Sequence, residues 1–211
     1  MTDIHWLGHD SFRWEASKTI YFDPWKIARG SKKADIILIS HEHFDHCSKV
    51  DIGMIATKDT VVVTSAAAAR ELKPSEPFCK EVKVLVPGET FETGGVEIKA
   101  TESYNVGKSF HPKADKKLGF IVTMDGKSVY HAGDTDAIPE MSGYRCDVAL
   151  LPVSGTYVMT ADEAAIAALA IKPKIVIPMH YGDIVGGAAD ANRLQELLKG
   201  KIEVKILKKE G

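Results

Sequence analysis

The stretch that most constrains the fold is residues 35–46, DIILISHEHFDH, where an apolar run is followed at once by imidazoles and carboxylates. The run is rich in β-branched residues and lacks polar alternation, which is typical of a strand buried on both faces. Three histidines, a glutamate and an aspartate then fall within six positions. The fold must therefore present a dense polar group at the end of a buried strand.

Short strands are predicted throughout the first half, because β-branched and aromatic residues recur in short runs between turn residues. The first three runs form a meander, and the segments in order are IHWLG, SFRWEA, TIYFDP, TVVVTS, EVKVLV and GVEIKATES. An alanine-rich segment, Ala66 to Lys73, is predicted to be a short helix that stops before Pro74.

The second half partly repeats this pattern and adds longer helices. An Asp-Gly pair at 125–126 predicts a hairpin tip, and Thr160 with Glu163 form a capping box at the start of a helix. The other predicted elements are the buried strands DVALLPV and KIVIPMH, the helix DANRLQELLKG and a closing strand, IEVKIL. No Pro/Gly-rich linker intervenes, so we expect two helix-covered sheets in a single domain, residues 1–211.

Side chains of the kind that bind metals follow several predicted strands. His41, His43 and His46 come after DIILIS, Asp134 follows SVYHAG, and His180 ends KIVIPM. One such residue alone is commonly a turn or capping residue, but five imidazole or carboxylate groups in six positions would repel or desolvate one another without a cation. Ligands gather at the carboxyl ends of strands in open α/β sheets, so these positions predict a metal site.

At this point a family resemblance becomes visible. HEHFDH matches the HxHxDH signature of the metallo-β-lactamase superfamily, and HAGDT and PMHYG match its later motifs in the same order. The match extends through WLGHDSF, YFDPW and LPVSGTYVMTADEA, so it covers nearly the whole chain, and it is closest to the small UlaG-like branch of metal-dependent hydrolases. The resemblance implies an α/β (α+β) fold, arranged as a four-layer αββα sandwich with a two-metal site.

The resemblance also implies the ligands and their roles. His41 and His43 would bind the first metal, Asp45 and His46 the second, Asp134 would bridge both, and His180 would complete the second. The metals would be zinc, with manganese, iron or nickel as alternatives that suit the same ligands.

One position departs from the family pattern. The third histidine of the first metal is expected just after the middle strand, where this sequence has ESYN and therefore Asn105. His111, six residues later, is expected to replace it, and the alternatives are Asn105 as a weak ligand or an open position. His9 resembles a residue that contacts metal ligands or substrate, and Asp23 resembles an acidic residue that orients a ligand histidine.

Composition limits the partners. Lys and Arg number 27 against 29 Asp and Glu, so no global charge favours a nucleic acid or an anionic membrane. Three widely spaced cysteines without a CxxC pair argue against a disulfide framework and favour a reducing compartment, so a cytoplasmic location is expected. We find no signal-peptide pattern and no apolar run of roughly 18–20 residues, and therefore expect no membrane association.

The function predicted is hydrolysis by a hydroxide held between two divalent metals, with Asp45 and Asp134 as the catalytic carboxylates. Residues 108–117, KSFHPKADKK, carry four lysines against one aspartate. A solvated loop accounts for these charges, and the alternative is that they attract a small anionic ester, lactone or phosphodiester. The expected substrate contacts are Lys108, Lys113, Tyr157 and Tyr181. The alternatives are a nuclease acting on RNA or DNA and a non-catalytic metal-binding or sensing protein, while the oligomeric state is not indicated.

Overall fold

A computed structural model describes residues 3–72 and 79–210, and the chain divides into two compact units. The first unit contains Met1–Val86 together with Lys208–Gly211, and the second contains Pro87–Leu207. Each unit is built on one mixed sheet, so the mixed α/β class with two sheets predicted from the sequence is confirmed. The assignment of residues 1–211 to a single domain stays a prediction.

The sheet of the first unit has six strands in chain order. They are β1 (Asp3–Gly8), β2 (Ser11–Glu15), β3 (Thr19–Phe22), β4 (Ile36–Ile39), β5 (Val61–Thr64) and β6 (Glu81–Val84). The first three pair antiparallel, as the predicted meander requires, and β3 to β6 pair parallel. Consequently β3 and β4 end at the same edge of the sheet.

The central strands are buried because two helices cover them. Helix α1 spans Lys49–Ile55 and helix α2 spans Ala66–Leu72. Ile52 and Ile55 of α1, and Leu72 of α2, join one apolar cluster with Ile37 and Ile39 of β4. The alternate positions of β4 are buried as well, which confirms that DIILIS is a strand buried on both faces.

Helix α1 was missed by the sequence analysis, because its sequence KVDIGMI contains β-branched residues and a glycine that weaken the helical pattern. A capping residue compensates for that weakness: Ser48 is the N-cap, and its hydroxyl accepts a hydrogen bond from Asp51 N. Helix α2 agrees with the prediction as far as Leu72, while the predicted end at Lys73 lies outside the described residues.

The sheet of the second unit has seven strands. They are β7 (Thr90–Thr93), β8 (Val96–Ser103), β9 (Lys117–Met124), β10 (Lys127–His131), β11 (Val148–Pro152), β12 (Ile175–Met179) and β13 (Glu203–Val204). Strands β7 to β10 pair antiparallel, and β10 to β13 pair parallel. The carboxyl ends of β10, β11 and β12 therefore lie at one edge of this sheet.

Two local predictions in the second unit are confirmed. Asp125 and Gly126 form the two-residue hairpin tip between β9 and β10, and both have positive φ, at 51° and 72°. Helix α3 spans Ala161–Ile171, and its capping box joins Thr160 and Glu163 through hydrogen bonds in both directions. The second predicted helix is α4, Ala188–Leu198.

The predicted closing strand is wrong in its extent, because only Glu203 and Val204 pair with β12. The chain then leaves this sheet and returns to the first unit. There Lys209 forms a parallel bridge with Trp6, and Glu210 N donates to Trp6 O at 2.9 Å. The last residues thus satisfy backbone groups beside β1 instead of extending β13.

The partial repeat seen in the sequence is present in the structure. Each unit has an antiparallel meander followed by the order strand, helix, strand, helix, strand. Along the described parts of the chain, none of the helices has the length and apolar character needed to cross a bilayer.

Gly119 in β9 is a position where packing forbids a side chain. A Cβ there would lie 2.6 Å from Thr101 Oγ1 and 2.9 Å from the carbonyl oxygens of both His131 and Ala132. We expect Gly119→Ala to lower the free energy of unfolding by about 1–3 kcal/mol, because backbone carbonyls must shift. Chemical denaturation measures the change.

Gly53→Ala is the matched control, since no atom lies within 4 Å of a Cβ at Gly53 in α1. That variant should gain up to about 1 kcal/mol from helix propensity. Equal stability changes in the two variants would contradict the packing argument.

Candidate metal centre

In the first unit the ligand-type residues are carried by the loop that connects β4 with α1. His46 N and Cys47 N both donate to His43 O, at 3.0 and 2.8 Å, so the loop turns back on itself after the strand. His41 and His46 are fully buried, and Asp45 is 9% exposed. The imidazoles of His41 and His43 approach closely, with Nε2 of the former 3.0 Å from Nδ1 of the latter.

Asp23, directly after β3, is the residue that orders this loop. Its Oδ1 accepts a hydrogen bond from Ser40 N at 2.7 Å, and its Oδ2 accepts from Ser40 Oγ at 2.6 Å and His46 Nδ1 at 2.7 Å. Because Nδ1 of His46 donates to Asp23, its Nε2 carries the lone pair that a metal would use. The geometry agrees with the orienting role that the family resemblance implies for Asp23.

Ser40 orients the ring of His41 in the same way as Asp23 orients that of His46. Since the Ser40 hydroxyl donates to Asp23, it accepts from Nδ1 of His41 at 2.8 Å, which leaves Nε2 of His41 available. Ser40 was missed by the sequence analysis. Its position between a buried strand and the first motif histidine is a signal that could have identified it.

In the second unit Asp134 lies between two imidazoles. Its Oδ2 is 3.5 Å from His180 Nε2 and 3.7 Å from His111 Nε2. His180 Nδ1 lies 2.9 Å from Ser154 Oγ, and His111 Nδ1 lies 3.2 Å from the carbonyl oxygen of Tyr157. Both histidines therefore have an acceptor at Nδ1 and direct Nε2 towards the carboxylate, an arrangement that suits a metal ligand.

The structure brings Asn105 to the opposite side of the His111 ring from Asp134. Asn105 Nδ2 donates to Tyr157 O at 2.6 Å and lies 3.4 Å from His111 Nδ1. The backbone N–H of Asn105 donates to His111 O at 2.8 Å, so these two residues close a short loop. Asn105 thus shares with His111 the carbonyl that orients the ring.

The loop between Asn105 and His111 is fixed by Asp136, a buried residue that the sequence analysis missed. Asp136 accepts hydrogen bonds from Val106 N and from Nζ of Lys108, which also donates to Val158 O at 2.7 Å. Lys108 is therefore half of an ion pair that holds the loop.

The remaining proposed substrate contacts have different surroundings. Lys113 pairs with Glu140 at 2.6 Å, whereas Tyr181 is buried, and that burial raises the pKa of its phenol. Tyr157 is 40% exposed and its ring packs edge-on against Phe110, with centroids 4.7 Å apart. Tyr157 is thus a partly exposed residue whose carbonyl oxygen lies beside His111.

Several of these side chains sit on a strained backbone. His9, Asp23, His111, Tyr157 and His180 all have φ between 42° and 66°. Left-handed conformations cost roughly 1 kcal/mol or more in residues with a Cβ and concentrate at functional sites. Five of the nine described non-glycine residues with positive φ are therefore candidate-site residues or their neighbours.

The donor sets fit divalent metals in both units. In the first unit, Nε2 of His46 lies 3.7 Å from Oδ2 of Asp45, and in the second Asp134 faces two Nε2 atoms. Neutral imidazoles and carboxylates are the ligands that zinc, manganese and iron use in proteins.

Comparison with known proteins assigns the chain to a family. Residues 3–180 match the model of the beta-lactamase superfamily domain, so the chain belongs to that superfamily. More particularly, it groups with proteins named UPF0173 metal-dependent hydrolase. The one from Methanoculleus marisnigri is 40% identical over 186 residues, covering 84% of this chain and 80% of the relative. The one from Thermoplasma acidophilum is 35% identical over 205 residues, covering 92% and 89%.

Solved structures agree in fold. A metal-dependent hydrolase from Parabacteroides distasonis superposes with a TM-score of 0.85 at 34% identity, covering 97% of this chain and 93% of that one. Igni18, a metallo hydrolase from Ignicoccus hospitalis, gives a TM-score of 0.81 at 24% identity, covering 100% and 96%. The metallo-β-lactamase-type fold expected from the motifs is thereby confirmed.

Removal of the Asp23 carboxylate tests its ordering role. Asp23→Ala leaves the donors of Ser40 and His46 without their acceptor, so we expect roughly 3 kcal/mol lower stability and 10- to 100-fold weaker zinc binding. Thermal unfolding and calorimetric titration measure the two effects.

Asp35→Ala is the control, since Asp35 also accepts a backbone N–H, from Thr19, but lies outside this loop. Equal zinc affinities in the two variants would disprove the ordering role of Asp23.

The cysteine next to the motif is predicted to be unreactive. Burial, followed by the nearby Asp23 carboxylate, raises the pKa of Cys47 to about 12, and burial likewise raises that of Cys146 to about 12. At pH 8 about one molecule in 10⁴ would carry either thiolate. We expect iodoacetamide to label both residues far more slowly in the native protein than after unfolding, as followed by mass spectrometry; fast native labelling of Cys47 would contradict this.

Proposed function

We propose that this chain is a metal-dependent hydrolase that binds two divalent ions and cleaves a small ester, lactone or phosphodiester. The observation that carries the proposal occurs in both units: imidazoles whose Nδ1 atoms face acceptors of the chain present Nε2 beside a buried carboxylate. His46 and Asp45 form one such pair, and His180 and Asp134 form the other. Membership in a family of metal-dependent hydrolases supports the same function.

The proposed ligand set is the one that the family resemblance implies. One ion is assigned to His41, His43 and His111, the other to Asp45, His46 and His180, and Asp134 is assigned to both. Zinc is the proposed metal, and manganese, iron or nickel would suit the same donors. His111 is preferred to Asn105 because its Nε2 is the atom near Asp134, whereas Asn105 lies beside Nδ1 of the same ring.

When bound, two such ions would lower the pKa of a shared water towards about 7 and polarise the oxygen of the scissile group. In this proposal Asp45 accepts the proton that the attacking water releases, because it is more exposed than Asp23 or Asp134. The alternative nucleophiles of the chain are disfavoured. Ser154 Oγ accepts a hydrogen bond from His180 Nδ1, so this histidine does not take the proton of the serine hydroxyl. The Cys47 thiol is protonated at neutral pH.

The predicted cytoplasmic location remains part of the proposal. It is supported by the three cysteines, which form no disulfide in the part of the chain from 3 to 72 and from 79 to 210.

Asp134→Ala is the test of the proposed function. We expect the wild-type protein to bind two zinc or manganese ions, and the variant to lose at least one of them together with at least 1,000-fold in kcat/KM. Elemental analysis and hydrolysis of p-nitrophenyl esters and bis-p-nitrophenyl phosphate measure the two quantities. Asp147→Ala, which removes a carboxylate paired with Lys174 in the same unit, is the control.

Retained turnover by the Asp134→Ala variant with one bound ion would overturn the two-metal proposal. A metal-loaded wild-type protein inert towards all esters, lactones and phosphodiesters would favour the non-catalytic alternative. Turnover of RNA or DNA with a steep salt dependence would favour the nuclease alternative.

Substrate preference is expected to depend on the aromatic pair more than on the lysines. Lys108 and Lys113 are neutralised by Asp136 and Glu140, while Phe110 and Tyr157 are 49% and 40% exposed. We expect Phe110→Ala to reduce kcat/KM for a butyryl ester roughly 5- to 10-fold and for an acetyl ester by less, since about 0.8 kcal/mol per buried methylene is at stake. The prediction of an anionic substrate is tested separately, by measuring kcat/KM for a succinyl ester beside the acetyl and butyryl esters. Lys108→Met and Lys113→Met are the matched variants for that comparison.

A further inference from the structure

Asp10 is a buried residue to which neither the motif pattern nor the family comparison assigns a role. It lies in the turn between β1 and β2, directly after His9, and its side chain is fully buried. A buried carboxylate is costly unless a cation or hydrogen-bond donors compensate its charge. The groups around Asp10 are therefore informative.

Four donor atoms of the first unit converge around Asp10. Its Oδ2 lies 3.7 Å from His9 Nε2 and 3.6 Å from His46 Nε2. Asp45 Oδ2 closes the group, at 3.3 Å from His9 Nε2 and 3.7 Å from His46 Nε2. Two imidazole nitrogens and two carboxylate oxygens thus alternate around a small space.

These separations match those of ligands on one ion. Donors about 2.1 Å from a tetrahedral metal are about 3.4 Å from one another, which is close to the observed range. A direct hydrogen bond would instead bring a nitrogen and an oxygen to about 2.7–2.9 Å. Each of these four nitrogen–oxygen separations is therefore longer than a direct hydrogen bond and close to the spacing of two ligands on one ion.

Neighbouring contacts fix the two imidazoles in this orientation. His46 donates through Nδ1 to Asp23, so its Nε2 is presented to the group. The ring of His9 packs edge-on against Trp25, with centroids 5.6 Å apart, and its carbonyl accepts from Trp6 Nε1 at 2.9 Å. The positive φ of His9, 51°, is the backbone cost of this placement.

We propose that Asp10 and His9 are additional metal ligands, which form with Asp45 and His46 a two-carboxylate, two-imidazole site in the first unit. The inference rests on the proposed function, because Asp10 and His9 would join Asp45 and His46 on the same ion. The second carboxylate makes the site richer in oxygen than the HxHxDH residues alone would make it. Oxygen-rich sites favour manganese over zinc more than nitrogen-rich sites do.

The test compares Asp10→Asn with Asp45→Asn and Asp51→Asn. Asp10→Asn keeps the shape of the side chain and removes its charge, whereas Asp51 is a buried carboxylate on α1 that accepts from Ile27 N, outside the group. Calorimetric titration with manganese and with zinc gives Kd and stoichiometry, and electron paramagnetic resonance reports the manganese environment.

We expect Asp10→Asn to weaken manganese binding at least 10-fold and zinc binding by a smaller factor, and to change the manganese spectrum. His9→Gln should weaken binding in the same direction. Asp51→Asn should leave both Kd values unchanged. The metal-free Asp10→Asn protein should melt at the wild-type temperature or above, because a buried charge has been removed, while its stabilisation by manganese should shrink.

The outcomes separate this inference from the proposed function. Wild-type Kd and spectrum in Asp10→Asn, with metal lost in Asp45→Asn, would overturn the role of Asp10 and leave the proposed function standing. A lower melting temperature of the metal-free Asp10→Asn protein without a change in Kd would assign Asp10 a structural role only. A wild-type protein that binds neither manganese nor zinc would overturn both.

Discussion

The hydrogen bonds between Asp23 and the residues Ser40 and His46 are the interaction on which the rest of the candidate site depends. One carboxylate at the end of β3 holds the backbone that leaves β4, the hydroxyl of Ser40 and the ring of a motif histidine. A network of this kind is strong in a buried environment because solvent does not compete for its hydrogen bonds. It fixes the protonated nitrogen of the imidazoles and hence the nitrogen left for a metal.

The buried strands and the motif order were predictable because they depend on local patterns. The run from Ile36 to Ile39 has the composition of a strand covered on both faces. The capping box of Thr160 and Glu163 identifies the start of a helix from four consecutive residues. Helix α1 was not predictable in this way, since its stability comes from Ile52 and Ile55 packing under the sheet and from one cap. Tertiary burial overrode a weak local propensity.

The candidate ligands were similarly visible, whereas the residues that orient them were not. HEHFDH is recognisable in the sequence because its ligand-type residues are close together. Ser40, Ser154 and Asp136 are single polar residues, and their orienting roles depend on hydrogen-bond partners far away in the chain. Asp136, for example, holds Lys108, 28 residues before it. Such hydrogen-bonded pairs cannot be predicted from sequence spacing, because their two residues lie on elements that are distant in the chain.

The return of the C-terminal residues to β1 has a consequence for the order of synthesis. Trp6 is synthesised before the second unit, whereas its partners Lys209 and Glu210 are synthesised after that unit. Domains generally fold from the N-terminus during translation, but this sheet acquires its final backbone bonds only after the second unit has been synthesised. The first unit is thus completed after the second, and Trp6 O accepts the Glu210 N–H only at that stage.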